Sequence, residues 1–307
     1  MHCGWCRSGV SDSAIFSFRE IHEALGFGIY SFLLVAGTQL IFQTSTVIVG
    51  ARLGPTHAAF YSIPTGLILQ FLGILLGIAQ VVMPVATQLH ETGRRAELIE
   101  LLHRWTKIAV GLTFLCAAGL ILIGPDLIRL WLGPSMAPAA TVLQLSIFAL
   151  LIFLPARGAA APVLMGVNRM ARMTQAIFAA GIANALICYA IVGYFGVEGA
   201  AIANILTCWS LGLTILFLAC RALDISVTDF LLETCLKPAI GLGLILASGF
   251  AIKSSATPIG LVGFMVGCVS ILTAFGLVWY FFVLRNDRHI TLPSFHVISQ
   301  SFRRKAA

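Results

Sequence analysis

The sequence predicts an all-α protein, a polytopic membrane bundle of about eight transmembrane helices with both termini in the cytoplasm. Three observations carry this prediction: long apolar stretches, a composition that is 59% hydrophobic and 10% charged over 307 residues, and an uneven distribution of Lys and Arg. So few charged residues cannot cover a water-soluble core of this size. The apolar stretches do not alternate as barrel strands would, and helices satisfy their own backbone hydrogen bonds in lipid.

Each apolar stretch is close to or above the roughly 18–20 residues that cross a bilayer as a helix. The predicted spans are 27–50, 60–87, 106–124, 139–166, 172–194, 197–220, 235–252 and 258–284. The segment YFGVEGAAIAN between the fifth and sixth spans predicts a tight outer turn between antiparallel helices.

The distribution of Lys and Arg predicts the orientation. With the N-terminus inside, 15 of the 19 lie in cytoplasmic segments, three (Arg52, Arg129 and Lys253) lie outside, and Arg157 lies within a span. This imbalance follows the positive-inside rule. It also accounts for the net charge of +7 without a nucleic-acid partner, and anionic membrane lipids complement it. We therefore expect a multi-pass protein of the cytoplasmic (inner) membrane.

The chain divides into three parts. Residues 1–26 are a cytoplasmic leader, in which FSFREIHEALGFG predicts a short amphipathic helix on the inner surface. Residues 27–284 form a single transmembrane domain, and residues 285–307 a basic cytoplasmic tail. The polar segment 88–105 has a helical pattern and is interpreted as an extension of its flanking helices.

The polar chemistry argues against an enzyme. Cys3 and Cys6 have CxxC spacing, but no second pair accompanies them, so neither a metal site nor a cofactor is predicted. No HExxH, GxSxG or phosphate-binding glycine loop is present. None of the twelve acidic residues lies within the interior of a span, whereas ion-coupled carriers generally keep a carboxylate there.

Arg157, in LIFLPARGAAAPVLMG, is the main candidate for a binding residue. It lies about 7–8 Å past the centre of its span toward the cytoplasm. One interpretation is a structural arginine that reaches the interface, and the other is a cationic contact for an anionic substrate. Pro155, Gly158 and Pro162 favour the second, because helix breaks are tolerated where they line a cavity.

Gln39 and Gln43 are one helical turn apart, so we expect this face of the first span to line an interior and contact substrate. For most other polar side chains within the spans we expect hydrogen bonds between helices. These residues are Thr44, Thr46, Gln70, Gln80, Gln144, Gln175, Asn184 and Asn204.

Four phrases in order carry a family resemblance: ARLGPTHAAFYSIPTGL, VVMPVATQLHETGRRAEL, LIRLWLGPSMAPAATVLQLSIFALLIFLP and YFGVEGAAIAN. Together they resemble polysaccharide-export flippases of the multidrug/oligosaccharidyl-lipid/polysaccharide superfamily, over about residues 16–285. The resemblance implies movement of a polyprenyl-diphosphate-linked glycan to the outer leaflet, with Arg157 near the diphosphate. Such flippases have two six-helix lobes, and this chain resembles the C-terminal lobe plus two extra helices.

A lone lobe implies a fragment, a truncated product, or a half that pairs with a second copy or with a separate N-terminal lobe. Two other functions stay open. One is a multidrug-extrusion carrier of the same superfamily, and the other is a non-transporting membrane scaffold of glycan assembly.

Overall fold

The structure, a computed structural model, describes residues 18–236 and seven isolated residues beyond them, 239, 240, 243, 246, 269, 273 and 276. The first six predicted spans fall within the continuous part. The predicted spans 235–252 and 258–284, the tail 285–307, and Cys3 and Cys6 lie essentially outside the described residues.

Within the described part, helices account for almost every residue and no strand occurs, so the all-α prediction is confirmed. The α-helices are α1 Phe18–Leu53, α2 Pro55–Ala79, α3 Val82–Glu91, α4 Arg95–Leu122, α5 Gly124–Leu132, α6 Ala137–Pro155, α7 Ala161–Gly166, α8 Met170–Ala222 and α9 Val227–Leu231. A 3-10 turn spans Pro134–Met136, and π-helical segments span Ala156–Ala160 and Leu232–Leu236.

Among the described residues, five helical segments are long and apolar enough to cross a membrane. They are Gly28–Leu53, Pro55–Glu91, Arg95–Leu122, Pro134–Gly166 and Met170–Ala222. The chain is therefore a multi-pass helical membrane protein, as predicted. The total of eight spans and the orientation of the termini stay predictions.

The longest segment, α8, is two spans joined at Gly196. Its 53 residues would extend about 80 Å as one helix, more than twice the hydrocarbon thickness. Gly196 has φ 60° and ψ −142°, a backbone conformation that suits glycine. Thr207 Oγ1 donates to Asn184 Oδ1 at 3.2 Å across this turn, so the two arms, 170–195 and 197–222, run antiparallel. The predicted tight turn is confirmed.

Several helices continue beyond the predicted ends of the spans. α1 begins at Phe18, so the backbone of the predicted amphipathic segment continues directly into the first span. α3 ends at Glu91 and α4 begins at Arg95, which confirms that segment 88–105 extends its flanking helices. Gly93, with φ 70°, lies in the short turn between them.

The helices pack as one bundle. α1 packs against α8 and α2, α6 packs against α8, α4 and α2, and α3 packs against α7. Arg95 ties the C-terminal end of α8 to the start of α4, since its guanidinium donates to Leu223 O at 2.7 Å and to Asp224 Oδ2 at 2.8 Å. In the last turn of α1, the Arg52 guanidinium carbon lies 3.8 Å from the centre of the Tyr189 ring, which belongs to α8.

Candidate functional site

Arg157 lies in the π-helical segment between α6 and α7. Pro162 explains the break, because it provides no N–H for the carbonyl four residues earlier and its ring crowds that carbonyl. π-Helical turns inside α-helices are frequent at functional sites. The structure therefore contains the helix break that the sequence predicts beside Arg157.

The surroundings of this segment are tightly packed. A Cβ on Gly158 would lie 3.0 Å from Leu75 Cδ2 of α2 and 3.8 Å from Ala109 Cβ of α4. A side chain at position 158 would therefore require the Leu75 side chain to shift by a few tenths of an ångström. Arg157 itself is partly buried, and its Nε is fully buried with no hydrogen-bond partner among the described residues.

A second interruption lies beside the first, because α2 and α3 are separated at Gln80 and Val81. Below the breaks, α7 packs on α3 so closely that a Cβ on Gly166 would lie 2.7 Å from Ala86 Cβ. Both helix pairs are thus interrupted near Arg157. The sequence did not predict the break in α2, which was expected as the single span 60–87.

Gln39 and Gln43 lie on the exposed face of α1, together with Phe32, Val35 and Val47. Neither amide has a hydrogen-bond partner in the described part of the chain. This face points away from the helices against which α1 packs. The π-helical segment packs mainly against α2, α4 and α8, so Arg157 and the two glutamines are not brought into one cluster.

Five of the eight other polar residues depart from the prediction, so hydrogen bonds between helices are not the rule for this group. Gln70, Gln80 and Gln175 are exposed, Thr44 and Thr46 are half-buried, and none of the five makes such a bond within the described residues. Gln70 lies on α2 and Gln80 directly after its C-terminal end. The position of these side chains relative to the bundle surface, which the sequence alone does not give, is what sets them apart.

By contrast, Asn184 and Asn204 form the predicted contacts between helices. Asn184 Nδ2 donates to Ile41 O at 2.8 Å and to Ser45 Oγ at 2.9 Å. Asn204 Nδ2 lies 3.5 Å from Tyr61 Oη, and Gln144 Nε2 donates to Ile121 O at 2.9 Å. The Asn184 and Asn204 cluster is buried and internally satisfied, so it holds α1 and α2 to both arms of α8 instead of binding a ligand.

Over the described residues, no group of three or more His, Cys, Asp or Glu side chains has the arrangement of a metal site. Cys188 and Cys208 are buried free thiols in the apolar interior, which is how small hydrophobic residues behave. The features that remain for a ligand are thus Arg157 at its helix break and the exposed glutamines.

The comparisons with known proteins agree with the fold. A sequence profile of a family described as "Polysaccharide biosynthesis protein" matches residues 1–141. Among solved structures, the chain is similar to one titled "Lipid II flippase MurJ, inward closed conformation", with a TM-score of 0.65 and 13% identity. The resemblance to polysaccharide and lipid-linked flippases is confirmed.

The extent of the flippase match is unequal in the two chains. It covers 89% of this chain and 57% of the MurJ structure, so this chain spans little more than half the flippase it matches. At 13% identity the likeness establishes a shared fold. A search of curated proteins found no match. The neighbour is by its title a transporter, and what this chain itself moves is a matter for proposal.

Proposed function

We propose that the chain is one lobe of a flippase of the cytoplasmic membrane, which moves a polyprenyl-diphosphate-linked glycan from the inner to the outer leaflet. The chain is not an enzyme under this proposal, and it uses no cofactor. The family profile and the flippase fold support the class of substrate. The lobe works with a second lobe, supplied by another copy, by a separate polypeptide or by a further part of a longer chain.

The observation that carries the proposal is Arg157. A charged side chain within a membrane bundle is costly and is retained where it faces a pathway or a partner. No partner among the described residues satisfies its Nε. A diphosphate group carries the charge and the acceptor oxygens that a guanidinium binds best.

Gln39 and Gln43 are proposed as contacts for the glycan. Their amides both donate and accept hydrogen bonds, as sugar hydroxyls require. Their exposure on α1 leaves them available for a ligand. Arg157 and the glutamines would then meet different parts of one amphiphilic substrate, which is consistent with their separate places in the bundle.

The test is complementation of a bacterium that lacks a glycan flippase. The chain alone, an Arg157→Ala variant and a fusion behind a six-helix lobe are compared at equal membrane abundance. Arg169→Ala is the matched control, since Arg169 is an exposed arginine outside the break. We expect the chain or its fusion to restore glycan export. Arg157→Ala should abolish this rescue, and Arg169→Ala should leave it intact. Rescue that persists in the Arg157→Ala variant would contradict the role of Arg157.

The two other candidate functions predict different results. A multidrug-extrusion carrier predicts no rescue of glycan export but raised resistance to cationic drugs. A non-transporting scaffold predicts that Arg157→Ala is tolerated, because no cavity is needed. The basic residue within the span and the family profile favour the glycan flippase over both.

A further inference from the structure

The short helix α5, Gly124–Leu132, packs one of its faces firmly on the bundle. Gly124, Ile128 and Leu132 follow one another at spacings of four residues, so they lie on one side of the helix. Ile128 is fully buried, and Leu132 packs against the core. A Cβ on Gly124 would lie 2.7 Å from Leu143 Cδ2 of α6. This side of α5 therefore belongs to the interior of the bundle.

A second apolar face of α5 is left open by the described residues. Leu127, Leu130 and Trp131, at spacings of three and four residues, share one side of the helix. Leu127 is half-buried, whereas Leu130 is 55% and Trp131 62% exposed. Both charged residues of α5, Asp126 and Arg129, lie on the remaining side. The helix thus has a wide apolar arc, only part of which is covered by protein.

The position of α5 along the bundle corresponds to a membrane boundary. α4 begins at Arg95, which contacts the C-terminal end of α8, so α4 ends on the side of the Gly196 turn. The chain holds 18 uncharged residues between Lys107 and Asp126. As a helix they extend about 27 Å, close to the thickness of the hydrocarbon core. α5 therefore begins where the hydrocarbon ends.

The junction between α4 and α5 is held by α6. Pro125 provides no N–H for the carbonyl of Ile121, four residues earlier. Gln144 Nε2 of α6 donates to this carbonyl at 2.9 Å instead. At its other end, α5 stops at Gly133, whose φ is 86°. The open face of α5 consequently has a fixed place at the end of the bundle.

The composition and the location of the open face both indicate a lipid surface. An apolar arc opposite a charged side is the pattern of a helix that lies in a membrane interface. Tryptophan is enriched at that level, where its ring meets apolar chains and its N–H meets water. α5 also connects two segments that are long and apolar enough to cross a membrane, Arg95–Leu122 and Pro134–Gly166. The lipid-facing surface of these spans is therefore continuous with the open face of α5.

We propose that α5 is an interfacial helix whose partner is the phospholipid surface at this end of the bundle, in the outer leaflet under the predicted orientation. Leu130 and Trp131 insert between the headgroups and the upper acyl chains, and Leu127 lies at the edge of the protein. Arg129, which is exposed on the charged side, contacts lipid phosphates. α5 thereby fixes the depth at which the connection between α4 and α6 sits in the membrane. This role is independent of the transported substrate.

The fluorescence of Trp131 tests the proposal directly. The chain has five tryptophans, so two versions of the full chain are made in which only Trp131 or only Trp209 remains and phenylalanine replaces the others. Trp209 is the matched control, because it is exposed on the second arm of α8 about 20 Å along the helix from the Gly196 turn. Both versions are reconstituted in vesicles of phosphatidylcholine and phosphatidylglycerol that carry bromine on the upper or the lower part of the acyl chains.

The two tryptophans should report opposite depths. Bromine on the upper part of the chains should quench Trp131 about twofold more strongly than bromine near the chain ends, as expected for a ring at the interface. Trp209 should show the reverse order. Dissolved iodide should quench Trp131 only weakly compared with free tryptophan.

Three results would overturn the proposal. Strong quenching of Trp131 by iodide and none by brominated lipid would show that α5 stands in water. Protection of Trp131 from every quencher would show that another protein surface covers the open face. A depth profile of Trp131 that equals the profile of Trp209 would make α5 part of a span.

A second measurement keeps the native tryptophans, in case the fourfold replacement prevents folding. A photo-crosslinking phenylalanine analogue replaces Trp131 in the full chain, or Thr92 in the exposed turn between α3 and α4 as the control. We expect a phospholipid adduct at position 131 and none at position 92. A crosslink at position 131 to protein alone, or no adduct there, would contradict the proposal.

Discussion

At the scale of single residues, Asn184 holds three membrane helices together. Its amide joins Ile41 and Ser45 of α1 to Thr207 of the second arm of α8. We expect Asn184→Leu to lower the free energy of unfolding by about 1–2 kcal/mol, because hydrogen bonds between membrane helices are individually modest and three are lost. Thermal unfolding in detergent measures the loss.

The control for Asn184 is Gln175→Leu on the same arm. Gln175 is exposed and makes no hydrogen bond within the described residues, so its replacement should leave the transition within a few tenths of a kcal/mol. Equal effects of the two variants would show that the Asn184 bonds do not hold the arms together.

Gly166 is a position where packing permits no side chain. A Cβ there would lie 2.7 Å from Ala86 Cβ and 3.0 Å from the Thr87 nitrogen of α3. Gly166→Ala should therefore push α7 from α3 and lower the free energy of unfolding by about 1–3 kcal/mol. Gly119→Ala, measured in the same thermal assay, should be neutral or stabilising, and a similar cost at both sites would contradict the argument.

At the scale of elements, the two arms of α8 depend on the turn at Gly196. Its φ of 60° and ψ of −142° are strongly disfavoured for a residue with a β-branched side chain. Gly196→Val should cost about 2 kcal/mol or more of stability through backbone strain. The matched variant is Gly193→Val on the first arm, where the backbone is helical and the nearest group is the flexible end of Arg52. A smaller loss at Gly196 than at Gly193 would contradict the strained-turn account.

Most spans could be predicted because their signal is local. Apolar runs gave the first six, and Gly196 with Gly199 marked the turn between the fifth and sixth. Pro155 and Pro162 marked the break beside Arg157. The break at Gln80 and Val81 has a local signal that the sequence analysis did not use. Pro84 provides no N–H for the Gln80 carbonyl four residues earlier, as Pro162 does at the other break.

The short helix α5, Gly124–Leu132, lies between two predicted spans, and the sequence analysis did not predict it. Its sequence GPDLIRLWL is too short to cross a bilayer, but Ile128 is buried while Trp131 is 62% exposed. The two sides of this one helix therefore face different surroundings. A prediction based on runs of apolar residues misses it, because its apolar residues are divided between two faces.

The candidate site was only partly accessible from sequence. Arg157 stands out because it is the charged residue that lies away from the ends of a predicted span. The open face of α2 does not, because Gln70 and Gln80 look like the buried Asn184 until the packing shows which side chains are covered. Burial depends on contacts between spans that are distant in the sequence. The pattern of a single span therefore does not show which of its side chains are buried.

At the scale of the whole molecule, the charge imbalance predicts the orientation in the membrane. Tyr194 lies beside the Gly196 turn and is 88% exposed, and Thr92 is exposed in the turn between α3 and α4. In a background without the eight native cysteines, Tyr194→Cys should react with an impermeant thiol reagent in intact cells. Thr92→Cys should react only after the membrane is opened.

The reverse pattern of labelling would place the termini outside and contradict the positive-inside assignment. It would also reverse the expected direction of transport relative to Arg157, which lies toward the cytoplasmic end of its span under the predicted orientation. Labelling of both sites in intact cells would show a damaged membrane and is excluded by a cytosolic marker protein.

The most direct measurement is transport of a polyprenyl-diphosphate-linked glycan across the bilayer of vesicles that contain the full chain. The account predicts that the glycan becomes accessible to an enzyme on the opposite side. It also predicts that Arg157→Ala lowers the rate at least tenfold, while Arg169→Ala leaves it unchanged. No transport either by the chain or by its fusion behind a six-helix lobe, or an equal rate with Arg157→Ala, would contradict the account.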